Sequence, residues 1–261
     1  MSNLLDKVNS HILNEDYSSK INDIKTFFKT SKILVIGGAG SIGREVVKIL
    51  CAYDIKQIDV VDINENGSVE LIRDINCGYG FNIRPEIYVI DVFSESFKKL
   101  LSQNKYNFIL NFSAMKHVRS GDNILNAIRT LQSNVMNTQF IISNSKKSKI
   151  EKLFSVSTDK ASSPVNIMGA SKKLMELLLQ QKGGPISSSA RFANVAFSDG
   201  SILDSVNKRI QKGQPIGAPS NIQRYFISHY DAARLCILSI VFSENNDIFF
   251  SKLFPDEDLI N

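Results

Sequence analysis

Lys32-Ile-Leu-Val-Ile36 is a continuous apolar run, the pattern of a strand buried on both faces. Comparable runs follow at Gln57–Asp62, Glu86–Ile90, Asn107–Phe112, Lys152–Ser157, Ser187–Val195 and, shorter, Asp247–Phe250. Between them the apolar positions recur at helical spacing. They predict helices from Arg44 onward, over Ser68–Cys77, over 122–146 as one long helix, over 166–181, up to about Lys212, and over Asp231–Phe242. This alternation predicts an α/β fold with a doubly wound parallel sheet. Ahead of it, Leu4, Leu5, Val8, Ile12, Ile21, Ile24, Phe27 and Phe28 predict two short helices broken near Asn14–Tyr17. The expected division is therefore a helical extension at 1–30, a sheet domain at 31–196, and a small irregular lobe at 197–261.

The first strand runs into Gly37-Gly-Ala-Gly40-Ser-Ile-Gly43, a GxxGxxG spacing that opens the next helix. Glycine permits the tight turn, brings backbone N–H groups close to a pyrophosphate, and lets the helix pack near the strand. Strand before and helix after give the motif its context, that of a Rossmann-like dinucleotide site. Asp62 ends the second strand nineteen residues past Gly43, where a carboxylate accepts hydrogen bonds from the adenosine ribose. It would repel a 2′-phosphate, and no Arg is expected nearby before Arg73. NAD is therefore expected, with NADP disfavoured.

Other strand ends carry candidate chemistry. Asp91 closes the third strand and is placed either to bind the adenine amino group or to cap the helix that follows. Ser113-Ala-Met-Lys-His117 follows the fourth strand, beside the expected dinucleotide. Asn134 falls within the apolar pattern of the long helix. Its amide needs partners there, either structural water and backbone behind the site or solvent. The fifth strand leads into Ser157-Thr-Asp-Lys-Ala161, a polar turn, then Met168 and Lys172 on the next helix. Thr158, Asp159, Lys160 and Lys172 converge where open α/β sheets collect their chemistry, and such groups can exchange protons with a substrate. The plainer alternative is a turn with a capping Asp and two solvated lysines; the glycine motif favours the first.

Composition narrows the partners. The chain has 261 residues, 43% hydrophobic and 22% charged, with net charge +5. The 31 Lys and Arg residues are scattered, so nucleic acid is not expected, whereas an anionic nucleotide is compatible. Cys51, Cys77 and Cys236 show no paired spacing, which suggests reduced thiols in a cytosol. Three isolated histidines give no metal-ligand pattern, and no metal is expected. No apolar run approaches the length of a membrane span, and Met1-Ser-Asn-Leu-Leu lacks a signal sequence, so a cytoplasmic location is expected. The helices expected at about 122–146 and 166–181 flank one side of the sheet, and Leu177 and Leu178 leave apolar surface there to cover, so a homo-oligomer is expected.

These residues together resemble the extended short-chain dehydrogenase/reductase family. More narrowly they resemble its polysaccharide-biosynthesis branch, which contains UDP-N-acetylglucosamine 4,6-dehydratases. The matching stretches are Gly37–Gly43, Ala114–Val118, Asn134-Val135, Ser157–Ala161, Asn166–Lys172, Arg191–Val195 and Arg224–Phe226, in family order over roughly residues 32–250. The resemblance implies a redox-neutral cycle. Carbon 4 of a nucleotide sugar is oxidised on NAD(P), water is lost across carbons 5 and 6, and the hydride returns to carbon 6. It implies cofactor contacts at Gly37, Gly40, Ser41, Ile42, Gly43, Asp62, Asn64, Asp91, Val92, Ser113, Ala114, Lys116 and Lys172. It implies substrate contacts at Lys116, His117, Asn194 and Arg224, the last pairing with the diphosphate. Lys160 and Asp159 are suited to act as base and acid. Met168 stands where most relatives carry a proton-accepting Tyr, which leaves Thr158 through water, or Asp159, for the carbon 4 hydroxyl. The wording around Arg119–Asp122 also departs from the family, and the chain stops at Asn261, earlier than the family pattern. An epimerase or reductase on the same fold, and a silent dinucleotide-binding protein, are the alternatives.

Overall fold

The computed structural model describes residues 13–116, 123–148, 150–217, 224–252 and 259–260. Seven strands form the main sheet: β1 Lys32–Ile36, β2 Gln57–Asp62, β3 Glu86–Val89, β4 Phe108–Asn111, β5 Lys152–Val156, β6 Ile186–Arg191 and β9 Asp247–Phe250. Their order is β3-β2-β1-β4-β5-β6-β9, with every pairing parallel. The sheet is doubly wound, and its strand order reverses between β1 and β4, where such sheets open a crevice for ligands.

β1 shows why the sequence was readable. Ile33 and Val35 face one core cluster and Leu34 and Ile36 the other, and all four are essentially buried. Each such side chain contributes about 1.5–3 kcal/mol on burial, so a five-residue strand carries much of the drive for two layers of helices. On the first face lie α3 Ser41–Cys51, α4 Glu65–Cys77 and α10 His229–Phe242. On the second lie α5 Glu95–Gln103, α7 Asn137–Ser148 and α8 Ile167–Leu179.

The extension enters as α1 Asn14–Ser19 and α2 Ile21–Phe28. Ile24 and Phe28, one turn apart, bury against the first face. Tyr17 meets the Tyr53 hydroxyl at 2.6 Å, and the Arg234 guanidinium lies over the rings of Tyr17 and Tyr230, 4.9 and 4.0 Å from their centroids. The described part of the extension is thus part of the core.

The long helix expected over 122–146 is interrupted. α6 Ile124–Leu131 passes through one widened π turn, Gln132–Met136, into α7. The sixth strand is also shorter than its apolar run. β6 ends at Arg191, and after Phe192 and Ala193 the chain resumes as β7 Asn194–Val195 in a second sheet. That sheet has the order β10-β8-β7, with β8 Arg224–Ile227 and β10 Leu259–Ile260. The stretch from 197 divides between the layers. α9 Ile202–Gln211, β8 and β10 lie outside the main sheet. α10 and β9 return to it because α10 is buried along most of its length, from Asp231 to Val241. Among the described residues no helix is long and apolar enough to cross a membrane.

Candidate functional site

The glycine turn is as crowded as its composition implies. Gly37 has φ +74°, and a Cβ there would sit 2.6 Å from the Ser113 nitrogen. A Cβ on Gly43 would lie 2.3 Å from the Gly37 carbonyl oxygen, so any side chain would push α3 off the turn. Helices α4, α5, α8, α9 and α10 are each closed by a side-chain cap, from Asn64, Ser94, Asn166, Ser201 and Ser228. α3 begins after Gly40 with none, leaving its first N–H groups, including those of Ser41 and Ile42, open to an anion. The turn therefore fits a dinucleotide pyrophosphate.

Asp62 is locked beside it. One carboxylate oxygen accepts the Ala39 N–H and the other the Asn64 N–H, both at 2.9 Å. Asn64 itself caps α4 through the Gly67 N–H. An arginine does lie near before Arg73: Arg44 follows Gly43 directly and donates at 3.4 Å to the carbonyl of Ala39, whose N–H bonds Asp62. Its Nε is buried and has no partner among the described residues. On the substrate side, the Ser41 hydroxyl donates to Asp199 Oδ2 at 3.0 Å and accepts the Asp199 N–H at 3.1 Å.

At the end of β3, the Asp91 carboxylate accepts the Phe93 N–H at 2.7 Å. Ser94, not Asp91, caps α5. Val92 is buried in the second core cluster. At the end of β4, Asn111 accepts from the Ser113 hydroxyl at 2.6 Å and donates to Ser155 at 3.1 Å. Ala114 and Lys116 are exposed beyond it. Asn134, buried in the π turn, holds this segment: it accepts the Met115 N–H and donates to the Met115 carbonyl, 3.0 Å each, and donates to Ser171 at 2.9 Å. The fold thus makes it a buried residue bonded to the backbone of Met115 and to Ser171 rather than a solvated one.

β5 delivers the polar turn. Thr158 begins a short 3-10 turn, Asp159–Ala161, and its hydroxyl lies 2.9 Å from Asp159 Oδ1. Lys160 Nζ reaches the same oxygen at 2.9 Å, with both side chains partly open to solvent. α8 comes close because Gly169 has no side chain: a Cβ there would stand 2.7 Å from the Lys160 carbonyl oxygen. Met168 is buried. Lys172 is also buried, and its ammonium donates to the Val156 carbonyl at 2.8 Å. Burial pushes its pKa down to about 7, with the Glu176 carboxylate acting in the opposite sense.

Glu176, unremarked in the sequence, lies behind Lys172 and is almost fully buried. Its Oε1 accepts from Ser157 at 2.6 Å and from Arg191 Nε at 2.8 Å, and its Oε2 from Arg191 Nη2 at 2.6 Å. The signal was available as an acid one helical turn after Lys172 on an otherwise buried stripe. On the small sheet, Asn194 donates to the Tyr225 carbonyl at 3.2 Å and Arg224 stands in β8. His117 lies outside the described residues. The structure thus gathers Thr158, Asp159, Lys160 and Lys172 around one strand end, and Asp62, Asn64 and Arg44 around another.

Residues 33–259 match the family model described as polysaccharide biosynthesis protein. The uncharacterized membrane protein MJ1061 of Methanocaldococcus jannaschii is 33% identical over 88% of this chain and 69% of its own length. The capsular polysaccharide biosynthesis protein CapD of Staphylococcus aureus is 26% identical over 83% of this chain, which spans only 37% of that relative. A UDP-glucose 4-epimerase of Rickettsia rickettsii is 27% identical over 86% of this chain and 67% of its length. Among solved structures, Pen from Bacillus thuringiensis superposes with a TM-score of 0.78 at 24% identity, covering 87% of this chain and 70% of that one. DesIV, a dTDP-glucose 4,6-dehydratase from Streptomyces venezuelae solved with NAD and TYD bound, gives 0.71 at 19%, covering 84% and 75%. These structures share the fold, and the family match over most of the sequence places the chain in the polysaccharide biosynthesis protein family.

Proposed function

We propose that the chain is an NAD-dependent nucleotide-sugar 4,6-dehydratase acting on UDP-N-acetylglucosamine or a similar sugar nucleotide. The observation that carries this reading is the Asp159–Lys160 pair, 2.9 Å apart at the carboxyl end of β5 and one strand away from the glycine turn's neighbour β4. Loss of water needs a base and an acid side by side, and an inversion at carbon 4 does not. NAD is supported by the uncapped start of α3, by Asp62 fixed on the ribose side, and by the likeness to a dehydratase solved with NAD.

A nicotinamide held here would supply a hydride acceptor for carbon 4 and a hydride donor for carbon 6. The chain's own residues do the rest. Lys172 binds the nicotinamide ribose, and its positive charge lowers the pKa of nearby hydroxyls. With Met168 unable to take a proton, Thr158 relays the carbon 4 hydroxyl proton to Asp159, 2.9 Å away. Once Asp159 is neutral, Lys160 gives its own proton to solvent, removes the carbon 5 proton, and returns it to carbon 5 when carbon 6 is reduced. Asp159 then protonates the departing carbon 6 hydroxyl, and water leaves. Arg224 pairs with the diphosphate, and Lys116, His117 and Asn194 contact the sugar nucleotide.

The second reading is a 4-epimerase, favoured by the likeness to the Rickettsia rickettsii UDP-glucose 4-epimerase. Incubation with UDP-N-acetylglucosamine, and separately with UDP-glucose, followed by mass spectrometry, separates the two. Loss of one water supports the dehydratase. Unchanged mass with inverted carbon 4 supports the epimerase, and no change with either sugar counts against both.

A further inference from the structure

Lys172 and Glu176 are one turn apart on α8, and both are buried. Together they fasten the helix to two strand ends. Lys172 donates to the carbonyl of Val156, the last residue of β5. Glu176 accepts from Ser157, the next residue, and takes a two-pronged bond from Arg191, the last residue of β6. We propose that Glu176, held and balanced by Arg191, is the positioning residue for Lys172, fixing both its place beside β5 and its charge. The inference rests on the reading of Lys172 as the lysine that meets the cofactor.

The charge argument follows from burial. A lysine shielded from water loses its proton readily, and a nearby carboxylate opposes that loss. Glu176 is such a carboxylate, but Arg191 cancels part of its field. Lys173, whose ammonium is 4.0 Å from Glu176, cancels a little more from an exposed position. On the turn packed against α8, Asp159 and Lys160 form a pair of opposite charges whose fields largely offset. The balance at Lys172 is therefore set by Glu176 against Arg191. Removing the acid lowers the pH at which Lys172 titrates; removing the guanidinium raises it. A pair that serves only to hold the fold together has no reason to move that pH in opposite directions.

The test is a pH titration of the cofactor-free protein labelled at lysine 13Cε, with the Lys172 signal assigned by Lys172→Arg. Glu176→Gln is expected to move the midpoint down and Arg191→Gln to move it up, each by about one pH unit. Arg191→Lys, which keeps the charge but not the fork, is expected to bring it back near that of the unmodified chain. Unchanged midpoints, or shifts of the same sign, overturn the proposal. If Glu176→Gln fails to fold by circular dichroism, the two Arg191 variants decide. Neither cofactor nor sugar is present in this titration. Failure here therefore leaves the dehydratase reading standing, and failure of the sugar assay leaves this result intact.

Discussion

Asn134 pairs with both main-chain groups of Met115, accepting from its N–H and donating to its carbonyl, 3.0 Å each. One side chain thus does for the segment after β4 what a neighbouring strand does elsewhere. It can do so because the π turn aims it off the regular helical stripe. Asn134→Leu is close in size but leaves two part-buried backbone groups without this partner. The expected cost is about 2–4 kcal/mol, read from urea unfolding.

Lys172 makes stability depend on pH. Its folded pKa, near 7, lies below the unfolded value, so between the two the unfolded chain binds more protons and stability rises with pH. The penalty for burying the charge is full below about pH 7 and fades toward pH 10. Lys172→Met carries no such penalty but loses the bond to Val156. It is expected to be more stable than the native chain at pH 6, by on the order of 3 kcal/mol. That advantage should shrink steadily in urea melts up to pH 10; a gap that stays constant sinks the assignment.

Lys160 and Asp159 divide the elimination between them under the proposed function. Lys160→Met is expected to abolish exchange of the carbon 5 proton with deuterium from solvent and to stall at the 4-keto sugar. Asp159→Asn is expected to keep the exchange but slow water loss. Reductions of about 10²–10⁴-fold are expected for each. Deuterium exchange that survives in Lys160→Met removes Lys160 from the role of base.

Cofactor choice pits Asp62 against Arg44. The carboxylate disfavours a 2′-phosphate, and the guanidinium beside Ala39 is placed to accept one. In a fluorescence titration NAD is expected to bind more tightly than NADP. Asp62→Ala should narrow that preference, and Arg44→Ala should weaken NADP more than NAD. Tighter NADP binding by the native chain overturns the prediction.

Ile124, Leu125 and Ile128 on α6, with Leu174 and Leu177 on α8, leave apolar surface on adjoining helices. A second copy of the chain is expected to cover it. Light scattering at micromolar concentration should give a mass above 29.1 kDa, and Ile128→Glu with Leu177→Glu should return the monomer.

The strands were legible where burial on both sides leaves a continuous apolar run, as in Ile33–Ile36. The glycine turn and Asp62 were legible because their spacing is local. What escaped depends on contacts far along the chain. The π turn answers to Met115, nineteen residues before Asn134. Glu176 answers to Ser157 and Arg191, on either side of its own helix. The sixth strand looked longer than it is because Phe192 and Val195 are apolar and buried, yet the chain changes sheets between them. Of the candidate site, Asp159, Lys160 and Lys172 could be found from position alone, whereas the network that holds Lys172 could not.

That change of sheet leaves only Phe192 and Ala193 between β6 and β7, and the Phe192 carbonyl also accepts the Asp159 N–H at 3.3 Å. A connection of two residues, bent at Ala193, leaves little slack. A tilt of the small sheet is therefore felt as a tug on the backbone of Asp159. The layer that carries Arg224 and the turn that carries Asp159 and Lys160 are thus tied to one another at Phe192.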